Sequence, residues 1–261
     1  MKYETQKTEA IVLFEKEMGE ADKLFILYTK EFGKIEVLGK SVRRARAKLR
    51  GGLQSLNYIS LEFVEGKNFF IATDAVLKED FSNIKSDHKR YRAALYACRL
   101  LDELTKEEGD RNVWKLINMT LKDLNELENI NSRFALILRF FEWNLLSFLG
   151  FKPELYSCIL CEEKIKLGKF FFSLVDGGIV CEKCFKAAEL KEAKARQFAV
   201  EFESPLLARI SRDAIKILRL AVGKNREVIL RLKINEDQEK ELKDVSKKYI
   251  EYILEEEIFV V

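Results

Sequence analysis

Proline is almost missing from this chain of 261 residues, which holds two, and histidine occurs once, at His88. Few prolines, 48% apolar residues and 34% charged residues describe a compact folded protein and exclude a disordered one. A single imidazole leaves little for histidine-based catalysis. His88 lies in the polar stretch Ser86-Asp87-His88-Lys89-Arg90, where a helix start is the simpler reading. Long hydrophobic runs are missing too. The longest, residues 134–149, is interrupted by Arg139 and Glu142 and falls short of the roughly twenty residues of a membrane span. The first residues, MKYETQKTEAIVLF, have neither the apolar run nor the charge pattern of a targeting segment. No membrane association and a cytoplasmic protein are expected. Nucleotide-binding glycine patterns fail as well. There is no G-x-G-x-x-G, and the stretch from Gly33 to Ser41 has five residues rather than four between its glycines and alternates like a strand. Serines lack a nucleophile elbow, and Glu107-Glu108 reads as helix surface. A nuclease built from dispersed acids stays open, since such sites assemble only in three dimensions.

Cysteine is scarce, five in all, but four of the five are organised. Cys158, Cys161, Cys181 and Cys184 form two C-x2-C pairs with nineteen residues between them. Each pair puts two sulfurs on one tight turn, and two such pairs at this separation close a tetrahedron around zinc. Gly168 and Gly177-Gly178 supply turns, and Phe170, Phe171 and Phe172 an apolar hairpin behind the site. Lys164, Lys166, Lys169, Lys183 and Lys186 offset the charge of four thiolates around a divalent cation. Disulfides and a thioredoxin-type redox pair are the competing readings. The expected cytosolic setting argues against the first and the lack of a βαβ pattern against the second. A full set of four cysteines leaves no open coordination position, so one structural zinc per chain is expected. Cys98 falls at a core-facing helical position and reads as packing.

The first eighty residues read as β. Strand-like runs occur at residues 10–14, 24–28, 34–38, 58–64 and 69–73, the last two joined by Gly66-Lys67-Asn68. Five short strands fit an OB-fold barrel, with an SH3-like barrel as the alternative. From Ser82 the apolar period becomes helical. One stripe is Tyr91, Leu95, Cys98, Leu101 and Leu104, capped by Ser86 or Asp87. A second is Val113, Leu116, Ile117, Leu121, Leu124 and Leu127. A third helix over residues 132–149 is apolar on most sides and belongs at the centre of its domain. Ser204-Pro205 reads as the opening of a helix to about Val222. A last helix spans about 237–257, burying Leu242, Val245, Tyr249, Ile253 and Leu254; residues 228–234 are unassigned. The expected class is α+β, with an OB-fold barrel at 1–80. A mostly helical domain at 81–261 follows, containing a zinc-binding loop at about 154–186.

Charge is concentrated in one place. Residues 40–50, KSVRRARAKLR, hold six cations and no acid, in the connection between the third and fourth strands and before the glycine pair Gly51-Gly52. Such a run beside a small barrel can follow a phosphate backbone, and a solvated basic loop is the plainer reading. Arg209, Arg212, Lys216 and Arg219 are also spaced to share one helix face.

Several stretches together resemble the RecO family of bacterial DNA repair proteins. They are Gly19-Glu20-Ala21-Asp22-Lys23-Leu24, Gly33-Lys34, Gly39-Lys40-Ser41-Val42-Arg43-Arg44 and Leu49-Arg50-Gly51-Gly52-Leu53-Gln54. Gly150-Phe151-Lys152-Pro153-Glu154-Leu155 leading into Cys158-x-x-Cys161, and Phe172-Ser173 leading through Gly177-Gly178 to Cys181-x-x-Cys184, extend the likeness over the chain. Ser55, where proline is common, and Glu162, where glycine often follows, depart from it. The resemblance implies a recombination mediator rather than an enzyme. Such a protein binds single- and double-stranded DNA, anneals complementary strands and, with RecR, loads RecA onto strands coated by single-stranded-DNA-binding protein, at the nucleoid. Under it, DNA is expected at Lys34, Lys40, Arg43, Arg44, Arg46, Lys48 and Arg50. The acidic carboxy-terminal tail of single-stranded-DNA-binding protein is expected at Arg139, Arg209, Arg212, Lys216 and Arg219. A metal-dependent nuclease and a zinc-ribbon RNA-binding factor are the alternatives.

Overall fold

The computed structural model describes residues 4–44, 47–106, 108–127, 133–195, 206–223 and 226–255, with 189–195 described by backbone alone. The chain divides into two compact units, Met1–Glu128 and Asn129–Val260.

In the first unit, β1 (Gln6–Met18), β2 (Asp22–Thr29), β3 (Gly33–Gly39), β4 (Tyr58–Val64) and β5 (Phe70–Glu79) form a closed barrel in the order β1-β2-β3-β5-β4. Neighbours are antiparallel except β3 and β5, which run parallel through Val37↔Phe70 and Leu38↔Ile71. This closure is that of an OB-like barrel and settles the choice against the SH3-like alternative. Alternation explains it: β4 buries Ile59, Leu61 and Phe63, and β3 buries Ile35 and Val37, all toward one core. β1 is buried on both faces from Ala10 to Leu13, because a bulge between Val12 and Phe14 re-aims the strand and α2 packs on its outer side.

Three helices follow in the same unit: α1 (Ser82–Ser86), α2 (His88–Leu104) and α3 (Arg111–Glu126). Asp87 caps α2, accepting from the Arg90 amide at 2.9 Å, and Asp110 caps α3. Arg90 donates to the carbonyls of Leu124, Asn125 and Leu127, satisfying groups that the end of α3 leaves open. The α3 stripe lies as expected from Val113 to Leu124, while Leu127 is the half-buried C-cap beyond the helix. The α2 stripe is rotated: Ala93, Ala94, Tyr96, Ala97, Cys98, Leu100 and Leu101 are buried, while Tyr91 is exposed. Small alanines allow the close approach, so they define the inward face more than the larger side chains do.

The second unit is built on α4 (Arg133–Phe148), buried without interruption from Leu136 to Leu146 and packed by α6 (Arg212–Val222), α7 (Arg226–Arg231) and α8 (Glu236–Leu254). Trp143 stacks on Tyr249 with centroids 5.6 Å apart and donates to Ser246 Oγ at 2.8 Å. A four-stranded sheet, in the order β6-β8-β7-β9, comprises β6 (Glu154–Cys158), β7 (Phe170–Ser173), β8 (Gly178–Cys181) and β9 (Leu207–Ile210); α5 (Glu182–Ala195) follows β8.

The helix expected from Ser204-Pro205 is corrected. Those two residues lie outside the described ones, and Leu207–Ile210 is a strand pairing Phe172↔Ala208 and Phe170↔Ile210. Its alternating burial of Ala208 and Ile210 is a strand's, and the helix begins only where Ser211 Oγ accepts from the Ala214 amide at 3.1 Å. The unassigned 228–234 stretch is partly α7. In α8, Leu242, Val245 and Tyr249 are buried as expected, joined by Ser246 and Ile250, while Ile253 and Leu254 are half-buried. Among the described residues no helix is long and apolar enough to cross a membrane.

Candidate metal centre and basic surface

The four cysteines meet. Cys158 ends β6, Cys161 follows in the next turn, Cys181 ends β8 and Cys184 lies in the first turn of α5. Their sulfurs all lie within 4.8 Å of one another. The turn after β6 is fixed by backbone: Glu162 donates to the Cys158 carbonyl at 2.8 Å and the Ile159 amide to the Ile179 carbonyl at 3.0 Å. Gly177 has φ +61°, and a Cβ there would run into the Tyr249 hydroxyl. Phe170, Phe171 and Phe172 back the site as expected, and Phe171 stacks on Phe185 at 3.7 Å. Two of the lysines counted as compensating charge have carboxylate partners, Lys186 with Glu182 at 2.9 Å and Lys183 with Glu163 at 4.0 Å.

The donor set fits zinc. A Zn–S bond of about 2.3 Å gives a tetrahedral edge of about 3.8 Å. Cys161 and Cys181 are 3.9 Å apart. Burial raises the Cys158 thiol, but amides of Cys181, Leu160 and Cys161 and the Cys161 thiol outweigh it, bringing Cys158 down to about 7. Burial and then its three neighbouring cysteines push the Cys184 thiol up. Cys158 is therefore the readier thiolate and Cys184 resists ionisation, a mixed state that a divalent cation converts to a full set. Cys98 is buried and separate from this group.

The basic connection is anchored. Val42, Leu49 and Leu53 insert into the barrel core, and a 3-10 turn, Lys48–Arg50, bridges them. Ser41, at φ 55°, donates its amide to Asp22 Oδ1 at 2.7 Å, and the Arg43 amide reaches the Ala21 carbonyl at 3.1 Å. Gly52 is no flexible spacer: it is buried, and a Cβ would strike the Ala75 carbonyl. Lys40, Arg43, Arg44, Lys48 and Arg50 are left exposed. Arg43 lies 3.6 Å from Glu17 and Lys48 3.2 Å from Asp74. Arg46 lies outside the described residues. Lys34 differs from the group: it is half-buried, pairs with Asp102 at 3.1 Å and also donates to the Asp102 carbonyl. It joins β3 to α2 instead of facing a ligand.

The cations expected to meet the partner tail, four of them on one helix face, are dispersed. Arg139 is 2% exposed and paired with Glu142 at 2.5 Å, so it is out of a partner's reach. Arg209 is on β9, while Arg212, Lys216 and Arg219 are on α6. Lys216 pairs with Asp213 at 2.8 Å. Arg219 donates to the Leu155 carbonyl at 2.9 and 2.6 Å and lies over the Tyr156 ring at 4.7 Å. Arg209 and Arg212 do come together, at a cavity of about 520 Å³ with Phe170, Phe171, Phe185 and Ile210 among its apolar lining. Lys169 and Lys186 add positive charge there; Glu182 and Glu241 oppose it. Sequence reading missed Phe185 in this role, although its place directly after Cys184 was a usable signal.

A family model described as "Recombination protein O N terminal" matches residues 1–81, and one described as "Recombination protein O C terminal" matches residues 85–258. The protein named "DNA repair protein RecO" of Dehalococcoides mccartyi (strain CBDB1) is 31% identical over 251 residues, covering 96% of this chain and 91% of the relative. That of Alkaliphilus metalliredigens (strain QYMF) is 30% identical over 244 residues, covering 94% and 92%. That of Desulforamulus reducens (strain ATCC BAA-1160 / DSM 100696 / MI-1) is 30% identical over 253 residues, covering 97% and 91%. With both halves matched in order and the barrel, helices and four-cysteine cluster in place, this chain belongs to the RecO family of DNA repair proteins.

Proposed function

We propose that this protein is a non-enzymatic recombination mediator. It binds single- and double-stranded DNA, anneals complementary strands and, with RecR, helps load RecA onto strands coated by single-stranded-DNA-binding protein, in the cytoplasm at the nucleoid. The observation that carries this reading is the basic connection held on the OB-like barrel by Val42, Leu49 and Leu53, which leaves five described cations exposed around the same anchor. Fixed cations lose little freedom on meeting a phosphate backbone, and each one engaged releases counterions. Family membership supplies the repair context. Incubating the protein with labelled complementary strands and Mg²⁺ tests it. Annealing without cleavage and without ATP is the expected result; cleavage would favour a metal-dependent nuclease, and preference for RNA over DNA a zinc-ribbon RNA-binding factor.

The four thiolates hold one zinc as a cross-link between β6, β8 and α5, with no open position for catalysis. The acidic, apolar-ended tail of single-stranded-DNA-binding protein suits the cavity where Arg209 and Arg212 adjoin Phe171 and Ile210, since such a peptide needs apolar walls and a cation for its end. Reversing Arg209 and Arg212 to Glu is expected to weaken tail-peptide binding by calorimetry, and reversing Lys216 alone to leave it nearly unchanged. Equal binding by all variants would place the tail elsewhere.

A further inference from the structure

Beside the barrel lies a groove of about 520 Å³, formed by the ends of β1 and β2, the basic connection, α1 and the first turn of α2. Buried Val42 and Leu53 form its apolar part, and Arg43, Arg50, Lys23 and Lys85 bring positive charge to it. Two carboxylates face the same space. Glu15 pairs with Lys23 at 2.7 Å and Glu17 lies 3.6 Å from Arg43. Partly exposed pairs of this kind are worth little, so a phosphate takes over those cations at small cost. Lys85 donates to the Asn57 amide oxygen rather than to a carboxylate. Desolvation lowers its pKa, an effect Asp80 only offsets, and an anion nearby would relieve it.

The remaining side chain is Tyr91. Its sequence position suggests an inward residue, yet α2 turns its alanine face to the barrel and leaves Tyr91 36% exposed in this groove. An aromatic ring among clustered Arg and Lys is the composition that holds single strands, where bases stack on rings and phosphates meet Arg and Lys. A duplex offers no free base face for such a ring. The volume is that of a small-ligand site, about 300–1,000 Å³, and suits an unpaired nucleotide.

We propose that this groove takes a single DNA strand and that Tyr91 is its stacking platform, with one unpaired base on the phenol ring and flanking phosphates on Arg43, Arg50 and Lys85. This deepens the DNA-binding reading and rests on it. It also puts part of the strand's site on α2, beyond the barrel.

The test compares the full-length protein with Tyr91→Ala and Tyr91→Phe on two oligonucleotides of equal length, one of thymidines and one abasic, over a range of salt. Tyr91→Ala is expected to weaken thymidine-strand binding roughly 5- to 100-fold, the worth of one stacked base, without changing the salt slope. Tyr91→Phe, which keeps the ring and the fold, is expected to bind like the parent, and neither variant to differ from it on the abasic strand. A fluorescent base analogue in the strand is expected to be quenched by the parent and by Tyr91→Phe. Equal loss on both strands, no loss on either, or no quenching with the parent would overturn the stacking role. If the parent binds neither strand, the DNA reading falls and this proposal with it. If the parent binds the two strands equally, the DNA reading stands and the role of Tyr91 alone is refuted.

Discussion

Glu162 has φ +60°, a left-handed backbone that disfavours any side chain with a Cβ. It holds the turn between Cys158 and Glu163, where the resemblance led one to expect glycine. Strain there costs about 1–2 kcal/mol, and the extra chain entropy of glycine offsets about 0.5–1 of it. Glu162→Gly is therefore expected to raise stability by roughly 0.5–1 kcal/mol, seen as a higher urea midpoint at constant slope. An unmoved or lower midpoint would show that the Glu side chain contributes more than its backbone costs. Cys98 is a second case. Burial, with a smaller contribution from Asp102, raises its thiol from an ordinary 9.0 to about 12. A raised folded-state value means stability fully present below pH 9 and lost as pH rises toward 12. The loss is about 1.4 kcal/mol per pH unit in that window. Cys98→Ala should flatten the alkaline fall in stability by that slope, and native protein at pH 8 should resist alkylation at Cys98. Its inertness was legible from helical spacing alone. The inaccessibility of Arg139 was legible too, had Glu142 three residues on been read as its partner.

The connection between β3 and β4 shows what sequence conveys about an element and what it does not. Its charge is visible in the run of cations; its rigidity is not. Val42, Leu49 and Leu53 have no period that marks them as core, because their spacing follows a turn fitted to this barrel. Replacing Arg43, Arg44 and Arg50 by Ala is expected to flatten the plot of log K against log salt on single strands by about two units, from about 0.7 per phosphate contact. An unchanged slope would remove the strand from this surface. Gly52→Ala keeps every charge but drives a methyl into the Ala75 carbonyl. It should lower stability by roughly 1–3 kcal/mol, as overpacking does. β9 was misread for a different reason. Ser-Pro is a sound local helix signal, but residues 207–210 can pair with Phe170–Ser173 across the sheet, and that ladder decides their conformation. The barrel strands were readable because period-two alternation and a single buried face coincide; their ends drifted where bulges extend β1 and β5.

At the level of the whole molecule, two compact units and one four-cysteine cluster fit to hold zinc predict uneven unfolding. The four clustered cysteines, Cys158, Cys161, Cys181 and Cys184, all lie within Asn129–Val260. Scanning calorimetry should therefore resolve two transitions, only one of them lowered by a zinc chelator or by Cys181→Ser. Loss of a structural zinc removes several kcal/mol, which for a unit of this size means a fall of roughly 10 °C or more. Two transitions that both ignore chelation would mean the four thiols cross-link nothing. The order of barrel, helices and cysteine-bearing sheet was legible in the chain, each from its own local period or spacing. The closure of β1 onto β4 has a consequence for synthesis on the ribosome. β1 can pair with β2 once Thr29 has emerged from the ribosome, but its other edge waits for Tyr58–Val64, and β3 waits for β5. At ~5–20 residues per second, the fifty residues from Thr29 to Glu79 take on the order of 3–10 s. Throughout that interval a nascent sheet presents two open edges to its neighbours on the same messenger. Lys7 and Glu9, charged positions on the waiting edge of β1, discourage it from pairing with another nascent chain before its own β4 arrives.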